Sequence, residues 1–200
     1  MNVLKSMRWW GGTLALAAVL GVAGAVSAAG ASHGATAAAE QAKIEKVMAR
    51  FAAAHWIAEG DGKRVIYAFT DPNCPYCRKL FDELQPYIGP RDLQVRWIVV
   101  GYLTSTSQGK AAAILAAKDP FKALKYNERN FGRNGDLGGI DEILPSARTI
   151  GELKKNYRLL RATGADGVPA MVVVDRERGP TLIPGAPSPE DLRKILDNLR

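Results

Sequence analysis

The sequence predicts an α/β fold in which a mixed β-sheet carries helices on both faces. Short β-rich apolar runs alternate with longer segments whose apolar residues recur at helical spacing. Proline follows a capping residue at the start of helical patterns, as in Asp119-Pro120 and Ser188-Pro189. The elements follow one another in the order βαβ…ββα, which fits such a sheet.

The first half of the chain contains four predicted elements. Apolar residues on one face predict an amphipathic helix over 38–57, namely Ile44, Val47, Met48 and Phe51. A β-rich run predicts a strand over 64–70, and helical spacing predicts a helix over 75–88 that Pro86 kinks without ending. The run from Leu93 predicts a second strand over 93–100.

The second half is predicted to hold four helices and two strands. The first three helices are predicted at 107–118, 120–130 and 149–162. The two strands are predicted at 170–175 and 180–184, and the last helix at 189–199. A Gly-rich loop over 132–139 separates two of these helices. It lacks the spacing and the lysine of a phosphate-binding loop, which argues against a nucleotide site.

The two cysteines of the chain, Cys74 and Cys77, stand two residues apart just after the first predicted strand. A structural zinc site needs four ligands, and the two histidines, His33 and His55, lie well upstream. A disulfide closing so short a loop removes little entropy from the unfolded chain, which argues against a purely structural bridge. The pair therefore indicates redox chemistry.

Local chemistry assigns different roles to the two sulfurs. Cys74 is expected to cap a helix whose first residue is Pro75, so free backbone N–H groups and the helix dipole would stabilise its thiolate. Such placement lowers a cysteine pKa and raises the thiolate fraction at neutral pH. Cys77 lies one turn further on and should stay protonated. Cys74 is therefore the predicted nucleophile, held acidic and reachable, and Cys77 the resolving thiol.

The segment Phe69-Thr70-Asp71-Pro72-Asn73-Cys74-Pro75-Tyr76-Cys77 resembles the active-site segment of the bacterial periplasmic DsbC/DsbG family. The resemblance continues through Ala111-Ala112-Ala113-Ile114-Leu115-Ala116-Ala117-Lys118-Asp119-Pro120 and through Gly167-Val168-Pro169-Ala170, and the Cys-Pro-Tyr-Cys form is closer to DsbG. It implies a thioredoxin-like fold with a helical insertion between the central strand and the strand after Pro169. Pro169 lies 95 residues after Cys74, which leaves room for such an insertion.

The resemblance also implies a cis Val168–Pro169 bond facing the sulfurs. Val168 and Pro169 are then the predicted substrate-binding residues, because an extended substrate segment could pair with the exposed backbone there. The family usually has Thr before this proline, and Val168 is the choice seen in the oxidase DsbA. Tyr76 carries no charge, whereas a His at that position helps stabilise the thiolate in the strongest oxidant, so Pro75 and Tyr76 are predicted to tune the pair.

The predicted domain organisation begins with a signal peptide over 1–28. Lys5 and Arg8 precede 21 uncharged residues, and Val26-Ser27-Ala28 resembles a cleavage site. An uncleaved membrane anchor is the alternative reading of this segment. A flexible segment over 29–37, a linker helix over 38–58 and a catalytic domain over 59–200, with its insert at about 104–163, are expected to follow. Both readings predict a periplasmic protein, where disulfide chemistry has substrates.

The composition favours a soluble basic domain. The net charge is +7, but basic and acidic residues are interspersed, so we expect no nucleic-acid partner. Lys154, Lys155, Arg158 and Arg161 are predicted to form a solvated helix face. Family members carry an amino-terminal dimerisation domain, whereas only about ten residues separate the signal from the first helix here, so a monomer is expected.

These observations predict a thiol:disulfide oxidoreductase or isomerase that acts on exported proteins, with a membrane thiol reductase or oxidase as its redox partner. No cofactor beyond the Cys74–Cys77 couple and no metal are expected. The alternative is a non-enzymatic thioredoxin-like module that delivers copper or assists assembly, because thiolates suit Cu(I).

Overall fold

The structure is a computed structural model that describes residues 38–39, 42–43, 45–51, 54–133 and 137–200. The predicted signal peptide over 1–28 and the segment over 29–37 lie outside these residues. Among the helices of the described part, none has the length and apolar character needed to cross a bilayer.

Five strands and five helices follow a helical segment at 45–51. The strands are β1 (Ile57–Glu59), β2 (Arg64–Thr70), β3 (Leu93–Val99), β4 (Ala170–Asp175) and β5 (Gly179–Pro184). The helices are α1 (Pro75–Leu84), α2 (Ser107–Ala116), α3 (Pro120–Arg129), α4 (Ala147–Thr163) and α5 (Pro189–Asp197). The predicted strands and the helices from α1 onward are thereby confirmed, with ends that shift by a few residues.

The five strands form one mixed sheet in the order β1-β3-β2-β4-β5. Strands β2 and β3 are parallel, and all other neighbours are antiparallel. The carboxyl ends of β2 and β3 therefore lie at the same edge of the sheet, since Thr70 is opposite Val99. The loops that leave these two strands meet at this edge, and the residues discussed below lie on those loops.

Side-chain alternation along the strands divides the core between the two faces of the sheet. Ile66 and Ala68 of β2 belong to one cluster, which includes apolar residues of α1, α2, α3 and α5. Phe69 belongs to the other cluster, with Phe51 and apolar residues of α4. Helices therefore cover both faces, as predicted.

Two predictions about element boundaries are wrong. Residues Ile57–Glu59 form a strand that pairs antiparallel with β3. The helix expected over 38–57 and the linker helix expected over 38–58 therefore extend too far along the chain. Pro86 does not kink a continuous helix: α1 ends at Leu84, and Gln85–Tyr87 form a separate 3-10 turn. Proline lacks the N–H that the next α-helical hydrogen bond requires, so the helix stops there.

Glu59 anchors the edge strand to the core. Its buried carboxylate accepts hydrogen bonds from Trp97 Nε1 at 2.8 Å and from Gln85 Nε2 at 2.9 Å. The strand thus carries a polar contact that joins it to β3 and to the turn after α1.

We expect Glu59→Ala to lower the free energy of unfolding by about 2–3 kcal/mol, because it removes the acceptor of two hydrogen bonds in the interior. Glu59→Gln keeps one acceptor oxygen and should lose less. Urea unfolding of the two variants measures the difference. Equal losses would show that the hydrogen bonds do not account for the effect.

Candidate active site

Cys74 caps the amino end of α1, as the sequence predicts. Its backbone is extended, with φ −93° and ψ 112°, and Pro75 occupies the first turn. The backbone N–H of Cys77 donates to the Cys74 sulfur at 3.2 Å. The sulfur thus accepts a hydrogen bond at a position where N–H groups lack helical partners.

The two thiols have opposite pKa shifts. Hydrogen bonds to the Cys74 sulfur hold the pKa of Cys74 below its ordinary value, although burial raises this pKa. The largest contribution comes from the Cys77 thiol, and smaller ones come from the backbone N–H groups of Cys77 and Tyr76. Burial raises the pKa of Cys77 well above its ordinary value, and the neighbouring Cys74 sulfur raises it further. The predicted division between an acidic and a protonated thiol is therefore reproduced.

The expectation of a reachable Cys74 sulfur is wrong for this conformation. Both residues are free cysteines here, and Cys74 is only 2% exposed, against 0% for Cys77. The Val168 carbonyl oxygen lies 3.6 Å from the Cys74 sulfur, within hydrogen-bonding range of an S–H donor. Tyr76, by contrast, is 65% exposed, so the surface beside the pair is formed by this ring.

The Val168–Pro169 segment lies against the pair because β4 is a direct neighbour of β2. The Val168–Pro169 bond is cis, as the resemblance implies. Ala170 pairs with Phe69, and the Pro169 carbonyl accepts a hydrogen bond from Gly185 N at 2.9 Å. The segment is thus fixed on both sides, and the Val168 carbonyl is held beside the Cys74 sulfur.

A fully buried carboxylate, Asp71, organises the loops at this edge. It accepts hydrogen bonds from Ser107 Oγ at 2.7 Å, Asn73 N at 3.0 Å, and the backbone N–H groups of Tyr102 and Leu103 at 2.8 and 3.2 Å. These donors come from the loop after β2, the loop after β3 and the start of α2. Asp71 therefore joins the cysteine loop to the helical insert.

Asn73 and Asn127 form a second set of contacts with the insert. Asn73 Nδ2 donates to Thr104 Oγ1 at 2.6 Å, and Asn73 Oδ1 accepts from Gly138 N at 2.9 Å. Asn127 Nδ2 donates to the Pro72 carbonyl at 3.0 Å. A Cβ atom on Gly138 would lie 2.4 Å from both Asn127 Oδ1 and the Pro72 carbonyl, so only glycine fits there.

A cleft of about 340 Å³ lies beside the loop after β3. Tyr102 and Tyr157 line it with ring centroids 5.0 Å apart, and Lys154 and Arg158 extend it along α4. Burial raises the pKa of Tyr102, and the charges of Asp71 and of both cysteines raise it further. The backbone N–H of Tyr102 also donates to Asp71, so the cleft borders the loop that carries the cysteines.

Sequence reasoning found Cys74, Cys77 and Val168 but missed the polar residues that hold them. No local pattern predicts the contacts of Asp71 and Asn73 with the helical insert, because their partners there lie more than 30 residues away. Among the described residues, no group of three His, Cys, Asp or Glu side chains is arranged to hold a metal ion.

The class of protein follows from this fold and from the sequence. Residues 51–200 match the family described as thioredoxin-like domain. The chain therefore belongs to the thioredoxin-like family, and its fold is thioredoxin-like with a helical insertion between β3 and β4.

The chain is also similar to particular thiol:disulfide interchange proteins. The chain is 38% identical to the thiol:disulfide interchange protein DsbG of Pseudomonas aeruginosa over 143 residues, which is 70% of this chain and 55% of that protein. It is 30% identical to DsbG of Escherichia coli over 154 residues, covering 74% of this chain and 60% of that protein. The chain thus spans less than two thirds of the length of either relative.

The solved catalytic domain of Proteus mirabilis ScsC superimposes with a TM-score of 0.63 at 22% identity, covering 77% of this chain and 96% of that domain. A likeness at this identity supports the fold.

The hydrogen bond from the Cys77 thiol to the Cys74 sulfur can be tested with a matched pair of variants. A hydrogen bond to a charged group contributes about 1.5–3 kcal/mol. Cys77→Ala removes the side-chain donor, so alkylation of Cys74 at mildly acidic pH should slow about tenfold or more. Cys77→Ser keeps a donor and should stay close to wild type. The thiolate absorbance of each variant is measured against pH under reducing conditions. If the curves of the two variants coincide, the Cys77 side chain does not have this role.

Proposed function

We propose that this chain is a thiol:disulfide oxidoreductase or isomerase that acts on exported proteins through the Cys74–Cys77 couple. The carrying observation is the geometry at the start of α1, where the Cys74 sulfur caps the helix and accepts a hydrogen bond from the Cys77 N–H at 3.2 Å. The lowered pKa of Cys74 and the raised pKa of Cys77 agree with this geometry. The names of the DsbG relatives support the same activity.

The reaction follows from the two sulfurs. The Cys74 thiolate attacks a substrate disulfide, forms a mixed disulfide and releases one substrate thiolate. Cys77 then loses its proton and attacks the Cys74 sulfur, which closes the Cys74–Cys77 disulfide and releases the second substrate thiolate. The substrate gains two electrons and the couple loses two. The same steps in reverse oxidise a substrate dithiol. A substrate is isomerised when another of its own thiolates attacks the mixed disulfide and releases the Cys74 thiolate.

Substrate binding is assigned to Val168 and Pro169, with Pro75 and Tyr76 tuning the pair. The Val168 carbonyl lies against the nucleophile, so a substrate segment that pairs alongside it would bring its own sulfur to Cys74. We also propose that the protein acts in the periplasm as a monomer, with a membrane thiol reductase or oxidase as its redox partner. The signal pattern before residue 29 supports that compartment.

The chain contains no third cysteine, so every thiol-dependent event reports on this couple. Cys74→Ser should abolish insulin reduction, because the nucleophile is lost. Cys77→Ser should retain attack but accumulate a mixed disulfide that dithiothreitol releases, visible as an adduct by intact-protein mass spectrometry. Wild-type protein without thiol-dependent turnover would refute the proposed activity and favour a binding module.

The cleft beside Tyr102 supports a preference for acidic substrate segments. Lys154 and Arg158 line it, and within the described residues neither forms an ion pair. Aromatic rings and unpaired cations suit a segment that carries both apolar and carboxylate side chains.

Lys154→Glu should raise KM about three- to tenfold for a disulfide peptide with acidic flanks, since charge repulsion replaces attraction. It should leave kcat nearly unchanged and lower KM for the matching basic peptide. Lys155→Glu makes the same charge change on the same helix but lines a different cleft, so it serves as control. If Lys154→Glu and Lys155→Glu change KM equally, the acidic peptide does not bind in the Tyr102 cleft.

A further inference from the structure

Glu128 is a buried acid that the dithiol reaction described above does not use. It lies in the last turn of α3, and it is 1% exposed. Its Oε2 atom has no hydrogen-bond partner, and its Oε1 atom accepts one bond, from Asn127 Nδ2 at 3.3 Å. An ionised carboxylate so poorly satisfied is costly to bury, whereas a neutral acid at this position costs much less.

Glu128 is tied to the loop that carries the nucleophile. The same Asn127 amide that contacts Glu128 donates to the Pro72 carbonyl, two residues before Cys74. Burial raises the pKa of Glu128 to about 8, and the negative charge on Cys74 contributes to this rise. The acid is therefore joined to the cysteine loop through the Asn127 amide.

The charged groups around Glu128 come from several elements. Arg78 and Asp82 of α1 act in opposite directions, the first lowering and the second raising the Glu128 pKa. Lys110 of α2 is directed to the loop next to Asn127, where its ammonium donates to the Gly138 carbonyl at 2.7 Å. Of the groups named here, only Cys74 changes its charge when the dithiol is oxidised.

We propose that Glu128 binds a proton when the Cys74–Cys77 disulfide is reduced and releases it when the disulfide forms. Glu128 does not touch the substrate. It is a positioning residue whose charge acts on Cys74 and Cys77 through the protein interior. This inference rests on the proposed redox function. It adds a proton-binding site in the helical insert to the two sulfurs.

The proton and electron balance is complete. At a pH between the titration midpoints of Glu128 in the two redox states, the disulfide form with an ionised Glu128 takes up two electrons and two protons and becomes a Cys74 thiolate, a Cys77 thiol and a protonated Glu128. A substrate dithiol that closes to a disulfide releases two electrons and two protons. Oxidation of the substrate therefore supplies one proton for Cys77 and one for Glu128, and none remains to be taken from solvent.

The proposal predicts that the titration of Glu128 depends on redox state. Loss of the Cys74 charge removes one cause of its raised pKa, so the pKa in the oxidised protein should lie below that in the reduced protein. Between these two values, reduction binds a second proton, and the equilibrium constant with a glutathione redox buffer should change by an additional factor of about ten per pH unit.

The test combines a spectroscopic and an equilibrium measurement. Side-chain carboxyl NMR of carbon-13-labelled wild-type protein, with Glu128→Gln used to assign the signal, should give a higher titration midpoint in the reduced than in the oxidised state. Glutathione equilibria across the same pH range should show a steeper dependence for wild type than for Glu128→Gln. Glu152→Gln is the control, because its Oε2 is also buried without a partner while its Oε1 pairs with Arg148.

Identical midpoints in the two redox states would overturn the proposal, as would equal pH dependence of wild type and Glu128→Gln. Because the NMR titration uses the wild-type chain, it decides the question even if the variant folds poorly. Failure of the proposed function has a different signature, namely absence of thiol-dependent insulin reduction while the Glu128 midpoint still shifts with redox state.

Discussion

The buried Asp71 carboxylate is the constraint on which the rest of the active site depends. A charge in the interior is tolerated only when it is well hydrogen-bonded, and Asp71 obtains its donors from the loop after β2, from the loop after β3 and from Ser107 at the start of α2. These contacts fix three chain segments around one point. Cys74 N also donates to the Asp71 carbonyl at 3.0 Å, so the position of the nucleophile follows from the same residue.

Burial alone cannot explain why the two sulfurs differ, because both residues are almost fully covered. Desolvation raises the pKa of either thiol and is the main cause of the raised pKa of Cys77, whereas at Cys74 the hydrogen bonds that the sulfur accepts outweigh it. Cys74 accepts at the open end of the helix, whereas Cys77 donates from its first turn. The lowered pKa of Cys74 is thus a local consequence of the Cys77 thiol and, after it, of the backbone N–H groups at the start of the helix.

Local patterns explain which parts of the structure could be predicted from the sequence. The cap at Cys74 and the strands around it depend on neighbouring residues, so their signal lies within a short window. The strand at Ile57–Glu59 is only three residues long and exists because it pairs with β3, so no local pattern marks it. Glu128 was missed for a related reason. A single acid in an amphipathic helix usually faces solvent, and only the tertiary packing shows that this one does not.

The helical insert is tied to the cysteine loop by specific polar contacts. Were it an independent addition, its contacts with the cysteine loop would be apolar packing that any compact subdomain could supply. Instead Ser107, Asn127 and Gly138 each form a specific polar contact with residues 71–73, and these contacts require exact atoms at short range. An acid placed among them senses the charge on Cys74 without lying in the path of a substrate. A proton site in the insert can thus influence the chemistry while the surface around Tyr76 stays free for binding.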